Sequence, residues 1–219
     1  MSIYESFVTF FQSGGIFMIP IVFVLALGIA IAIERYIYLS STRVRNQIAW
    51  KKIQAVLSSG NLSEAMNFAE KSKCAISRIM GYGLVSAQTS RRRDDIETAM
   101  EEGLMEVVPK LEKRTHYLAT FANVATLLGL LGTIIGLIDA FTAISAASPA
   151  EKADLLSSSI SVAMNTTAFG LMVGIPLLLL HSWLQTKTTE IVDSLEMASV
   201  KVLNTITTNV RKQQAEASS

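Results

Sequence analysis

The sequence predicts an all-α membrane protein with three transmembrane helices and long cytoplasmic helical extensions, and two observations carry that reading. Half of the 219 residues are hydrophobic and only 17% are charged, which is too apolar for an ordinary soluble domain. Three uncharged stretches, residues 16–33, 115–138 and 155–186, are long enough to cross a bilayer core, which takes about 20 helical residues. Other classes find little support. The net charge of +1 gives no global basic field for nucleic acid, and the single cysteine, Cys74, supplies neither a disulfide framework nor a thiolate metal site. His116 and His181 are the two histidines, so no cofactor or metal is expected and no chemical active site.

The elements follow in order. Residues 1–15 hold no Lys or Arg and one acid, Glu5. Without a charged leader or a small-residue cleavage site, the first apolar stretch reads as a retained anchor over residues 16–36, not a signal peptide. Arg35, Arg43, Arg45, Lys51 and Lys52 follow it, Lys110, Lys113 and Arg114 precede the second span, and Lys187 follows the third. Lys152 alone lies between spans two and three. Counted near the membrane ends, this places residues 1–15 and the loop 147–155 outside, and residues 37–114 and the tail 187–219 in the cytoplasm. The second and third spans, residues 115–146 and 156–186, exceed the minimum length and are expected to tilt or protrude.

In the cytoplasmic part, Val44, Ile48, Ile53, Val56 and Leu57 fit a helical face that stops at Ser58-Ser59-Gly60. Asn61 or Ser63 can cap a short helix to Lys71, and another is expected from Cys74 to Thr89. After Arg91-Arg92-Arg93, the acids Asp94, Asp95 and Glu97 suit a helix N-terminus. Pro109 is the one break signal after them, so a helix from Asp94 to Ala146, about 80 Å long, is expected, bent or jointed at that proline. The arginine triplet offers an anionic-lipid or phosphate site, but a solvated turn is the favoured reading. Glu101, Glu102, Glu106 and Glu112 read as a solvated helix face paired with Lys110 and Lys113.

The membrane spans carry the informative motifs. Gly129-Leu-Leu-Gly132-Thr133-Ile-Ile-Gly136 lies in the second and Asn165-Thr166-Thr167-Ala-Phe-Gly170-Leu-Met-Val-Gly174 in the third. Each contains a G-x-x-x-G pair, a weak signal alone and a stronger one when two spans share it. Thr126, Thr133 and Ala140 recur every seven residues on one face beside the glycines. Ala163, Thr167, Gly170 and Gly174 share a face of the third span, and Ser158, Ser161 and Asn165 mark a second polar stripe. A single membrane threonine usually bonds the carbonyl one turn back. Several on facing helices instead make a polar layer able to solvate a proton carrier or a small cation, and the glycines supply the contact that holds helices and subunits together.

Leu118-Ala-Thr-Phe-Ala-Asn-Val-Ala-Thr-Leu-Leu-Gly-Leu-Leu-Gly-Thr133-Ile-Ile-Gly136, followed by Ile160-Ser-Val-Ala-Met-Asn-Thr-Thr167-Ala-Phe-Gly170-Leu-Met-Val-Gly-Ile-Pro176, resembles the MotA/TolQ/ExbB proton-channel family. Gly14-Gly15-Ile-Phe-Met-Ile-Pro20, Glu34-Arg35 and Pro109-Lys-Leu-Glu112 are similar to its ExbB/TolQ-like branch. The resemblance implies a homopentameric channel in the bacterial inner membrane around a dimer of ExbD/TolR-like single-span helices. Protons would cross by protonating an aspartate on the partner, and their flow would drive mechanical work in processes such as protein transport. By motif position Thr133 and Thr167 match the threonines that face that aspartate, with Thr166, Asn165 and Thr126 behind them.

The chain departs from the ExbB/TolQ pattern at two positions: Val162 stands where a glutamate is usual, and Thr126 where a proline is common. The neutral oxygens of Asn165, Thr166 and Thr167 are ligands that sodium also accepts, so a sodium-driven version is the alternative. A membrane scaffold without conduction is the other. Asp139, about 9 Å outward of Thr133 along the helix, is either an external cation entrance or a plain helix-end carboxylate. His116 and His181 read as interfacial anchors before proton relays, and Pro20 and Pro176 as kinks.

Overall fold

The computed structural model describes residue 10 and residues 14–58, 62–72, 74–90, 92–146 and 148–217. The expected stop at Ser59-Gly60, the Asn61 cap, Arg91 and most of the external N-terminus lie outside the described residues. Those described form helices without a strand: α1 (Met18–Ser58), α2 (Leu62–Lys71), α3 (Ala75–Thr89), α4 (Arg93–Glu112), α5 (His116–Ala146) and α6 (Lys152–Ala217). Three helical stretches, within α1, α4–α5 and α6, are long and apolar enough to cross a membrane. The chain divides into two compact units. One holds the described residues up to 35 and residues 114–184; the other holds residues 36–113 and the chain from 185 onward.

In the first unit, Gly15 takes a φ of 73°, and Met18 and Ile19 N–H groups donate to the Gly15 and Ile16 carbonyls at 3.3 Å, which starts α1. Pro20 is the third residue of α1, in the first turn, where a missing N–H leaves no gap. It is a helix-start residue and not the expected kink. Pro176 lies in the interior of α6, and the helix runs through it.

The size distribution around the spans is that of a helix bundle in lipid. Ala122, Ala125, Ala140 and Ala163 are buried, whereas Leu127, Ile138, Phe141 and Leu179 are each more than half exposed. These small residues face the neighbouring helix beside the buried Leu118 and Leu177, in keeping with close van der Waals contact as the force between helices in lipid.

The expected continuous helix from Asp94 to Ala146 is corrected: it is two helices, α4 and α5, separated at residues 113–115. Pro109 sits in the last turns of α4, and the Lys113 N–H reaches back to its carbonyl at 3.0 Å. The break itself is at Arg114, with φ of 69°, a left-handed conformation costing a non-glycine residue about 1–2 kcal/mol. Two contacts within the first unit offset that cost. Arg35 is only 2% exposed, and its Nε donates to the buried Thr115 hydroxyl at 3.2 Å, while Arg114 Nη1 lies 3.6 Å from Glu34 Oε2. A buried guanidinium must have acceptors, and Thr115 provides one because the chain turns there. Helix restarts at once, with Tyr117 and Leu118 N–H groups donating to the Arg114 and Thr115 carbonyls.

The second unit begins with the rest of α1. The sequence has no glycine or proline between Gly28 and Gly60, so one 41-residue helix includes both the first span and the expected cytoplasmic helix. Its buried positions include Leu39, Asn46, Ala49, Ile53 and Leu57, whereas Val44 and Ile48, expected inside, are exposed. Ser63 lies inside α2 and is not its cap. Cys74 occupies the N-cap position of α3. Helices α3 and α4 pack through glycines: a Cβ on Gly103 would meet the Ile79 Cα at 3.1 Å, and one on Gly83 the Met100 Cγ at 2.6 Å. Their connection is organised by serines. Ser90 bonds the Asp95 carboxylate and accepts the Arg92 N–H at 3.3 Å, and Ser86 donates to the Asp95 carbonyl at 3.0 Å. Arg93 is occupied by Asn204 at 2.9 Å and Glu97 at 3.8 Å, in keeping with the turn reading. Residues 187–217, a tail in sequence terms, continue α6, burying Ile191, Leu195, Ala198, Val202 and Ile206.

Of the expected acidic face, Glu106 is tied into the unit by Lys110 at 2.8 Å, Arg78 at 3.2 Å and the Tyr82 hydroxyl at 3.3 Å. The hydrogen bond from Lys110, helped by Arg78 and opposed by partial burial, holds its carboxyl below the usual carboxylate range. A carboxyl lowered on folding stabilises the fold above its unfolded pKa, and that contribution fades as pH falls through the folded value. Glu106→Gln is therefore expected to lower the melting temperature at neutral pH, with the gap to the parent closing as pH falls below the ordinary carboxylate range. A gap of constant size across that range in circular-dichroism melts would contradict the assignment.

Candidate ion-pathway site

The site lies in the first unit, where α5 meets α6. Gly129 and Gly170 bring the two backbones into direct contact. A Cβ on Gly170 would stand 2.7 Å from the Ala125 carbonyl oxygen and 3.0 Å from the Gly129 Cα, and one on Gly129 would stand 3.1 Å from the Thr166 carbonyl oxygen. Real Cβ atoms hardly ever approach that closely, so glycine at these two positions is a condition of the packing. The contact continues in both directions. Gly132 lies against the Thr166 methyl, Gly136 against the Ala163 Cβ at 3.2 Å, and Gly174 against Thr126 Oγ1 at 2.6 Å and the Ala122 carbonyl oxygen at 3.0 Å, all measured from an ideal Cβ. All five glycines thus face the other helix of the same chain. The expected helix packing by these glycines is thus seen between α5 and α6 of one chain.

That contact sets what each threonine does. Thr126 Oγ1 donates to the Ala122 carbonyl at 3.0 Å and Thr133 Oγ1 to the Leu130 carbonyl at 2.6 Å, the local bonding common in membrane helices. Thr167 differs. Its hydroxyl crosses from α6 to α5 and donates to the Gly129 carbonyl at 2.9 Å, which only the missing Gly129 and Gly170 side chains permit. Thr166, 2% exposed, has its hydroxyl 2.9 Å from the Val162 carbonyl oxygen on its own helix and 2.5 Å from the Gly14 carbonyl oxygen.

The structure therefore groups Thr166 and Thr167 with Gly129, Gly132 and Gly170, and groups Thr126 with Gly174. Thr133 is half-buried on the α5 surface with its hydroxyl turned to its own helix. Asn165 is half-buried on α6 and is not free. Asp139 is exposed, near the end of α5. Among the described residues, no cluster of His, Cys, Asp and Glu could hold a metal ion.

Sequence reasoning missed the part played by the segment before α1. Gly14 accepts the Thr166 hydroxyl, Gly15 lies 3.3 Å from the Val162 Cγ1 and the Phe17 Cβ 3.3 Å from Gly132, each measured from an ideal glycine Cβ. The Phe10 ring meets the Phe169 ring edge-on at 6.4 Å. The signal was present as the Gly14-Gly15 pair ahead of a membrane span, since only such residues let a chain fold back tightly enough to place a carbonyl there. Val162 fits this corner: its side chain meets Gly15 and its carbonyl serves Thr166.

A family model described as the MotA/TolQ/ExbB proton channel family matches residues 71–197. The chain belongs to that family. The matched stretch contains α3, α4, α5 and the part of α6 that carries Asn165, Thr166, Thr167, Gly170 and Gly174, so the threonines and glycines of α5 and α6 are inside it, whereas Gly14 and Gly15 precede it. No curated protein matches the chain significantly. Membership of the MotA/TolQ/ExbB family together with three membrane-length apolar helices makes this a membrane protein of a channel family, not of an enzyme family.

The glycine contact gives a stability prediction. Gly170→Ala, which must push a methyl into the Ala125 carbonyl, is expected to destabilise the chain by about 1–3 kcal/mol. Gly81→Ala, whose nearest neighbour would be the Ala69 Cβ at 3.7 Å, should leave the melting temperature unchanged or raised. Thermal melts of both variants in detergent test this; equal behaviour would contradict the contact.

Proposed function

We propose that the chain is the channel-forming subunit of an ion-motive-force-driven motor complex, coupling proton flow across the bacterial inner membrane to mechanical work through an ExbD/TolR-like partner. The observation that carries this reading is the Thr167 hydroxyl held across the Gly129–Gly170 contact. It is a polar layer buried between two membrane helices that have no Asp or Glu at that depth. Such a layer can hydrogen-bond a titrating group but cannot itself carry a proton by carboxylate chemistry. The carrier must come from another chain, and a single-span helix bearing a membrane aspartate has the required charge. A threonine hydroxyl suits both states of that group, donating to the carboxylate and accepting from the carboxylic acid. In this reading Thr167 exchanges its bond to Gly129, and Thr133 its bond to Leu130, for the partner group.

The subunit acts as a homopentamer of the ExbB/TolQ-like branch around a partner dimer, with Thr166, Asn165 and Thr126 behind the two lining threonines and Asp139 at the external entrance. The Lys and Arg distribution supports a periplasmic N-terminus and a cytoplasmic C-terminus. A sodium-driven version of the motor has one observation in its favour: the Gly14 and Val162 carbonyl oxygens converge with the Thr166 hydroxyl, a set of neutral oxygens of the kind hard cations accept.

Valine is nearly isosteric with threonine but has no hydroxyl. Thr133→Val and Thr167→Val are expected to leave assembly intact, since each removes one interhelical or local bond worth about 0.6 kcal/mol, and to abolish energised function. Ion-dependent activity measured on the purified complex of the double variant checks this, and normal activity would contradict the assignment.

A further inference from the structure

The second unit contains a cavity of about 230 Å³ bounded by α1, α3 and α6 that ion conduction does not use. Its wall includes Asn46, which is 7% exposed and whose amide nitrogen and oxygen both lack a hydrogen-bond partner in the protein. Buried polar groups are normally paired, so an unused donor and acceptor side by side on a cavity wall mark a place built for a ligand with the complementary edge.

The rest of the wall narrows the chemistry. Trp50 lies one turn beyond Asn46 on α1, and Ile76 and Leu195 supply apolar surface, so the ligand has a flat, largely apolar body. Of the charged wall residues, Arg43 is engaged by Glu190 at 3.1 Å, which leaves Lys201 as the cation beside the cavity. A second hollow of about 430 Å³ shares both Trp50 and Lys201 with the first, so a ligand seated on Asn46 has room to extend past the lysine. A trans peptide group points its N–H and C=O in opposite directions, so one side-chain amide cannot satisfy both. A nucleobase presents donor and acceptor on one edge, the geometry with which asparagine pairs bidentately, and its faces stack on aromatic rings.

We propose that this cavity binds a nucleotide, with the edge of the base on Asn46, its face against Trp50 and its phosphates at Lys201. A ligand there would bridge α1 and α6, which are also joined within this unit by the Asn209 amide donating to the Leu57 carbonyl at 3.3 Å.

The chain has two tryptophans, Trp50 and Trp183, so the full-length protein carrying Trp183→Phe reports on the cavity through Trp50 fluorescence alone. Titration with ADP and GDP is expected to give saturable quenching by at least one, and equimolar inorganic phosphate is expected not to displace it. Asn46→Leu should weaken that binding by about tenfold or more while leaving the melting temperature unchanged or raised, because two unpaired polar atoms leave the interior. Absence of saturable quenching by either nucleotide in folded protein, displacement by phosphate, or unaltered binding by the Asn46→Leu variant would overturn the proposal. None of these readouts depends on ion conduction.

Discussion

The contact of two bare backbones at Gly129 and Gly170 is the constraint on which the membrane unit depends. Without it α5 and α6 would stand a side chain apart, the Thr167 hydroxyl would not reach the Gly129 carbonyl, and Thr166 would lose its fit against Gly132. The inverted size pattern follows from the same requirement. Alanines and glycines occupy the seam at Gly129 and Gly170, while Leu127, Ile138, Phe141 and Leu179 lie on the outer surface. Backbone proximity thus places the Thr166 and Thr167 hydroxyls in the seam between α5 and α6.

A second constraint acts at the end of the first span. Arg35 is buried and charged, and its need for an acceptor is met by Thr115, reached only because the chain leaves helical geometry at Arg114. The Arg35–Thr115 bond and the Arg114–Glu34 pair thus hold the division between α4 and α5. The break coincides with the boundary between the two units, so each unit keeps a core of its own.

Much of this was legible in the sequence. The all-α class, the three apolar spans, the C-terminal end of α5 and the family followed from composition, periodicity and the glycine–threonine motifs, because those signals are local in the chain. What escaped was set by contacts distant in sequence. Val44 and Ile48 fit a helical period yet face outward, since the polar Asn46 takes the inward position on α1. Pro109 drew attention as the break, but a proline near the end of a helix removes little, and the turn is made five residues later by Arg114, directly after Lys113, whose N–H donates to the Pro109 carbonyl. The Gly14 carbonyl on Thr166 spans 152 positions of sequence, which no periodicity can reveal. The glycines were read as contact residues, and G-x-x-x-G spacing signals a close neighbour without saying which helix it is; within this chain α5 and α6 are each other's neighbour there.

The account is tested most directly by ion movement itself. The purified chain, reconstituted in vesicles with a single-span partner carrying a membrane aspartate, should pass protons down an imposed proton gradient and cease to do so when that aspartate is replaced by asparagine. The chain without the partner should pass none. Proton flux by the chain alone, or no flux of protons or sodium by the assembled complex, would contradict it.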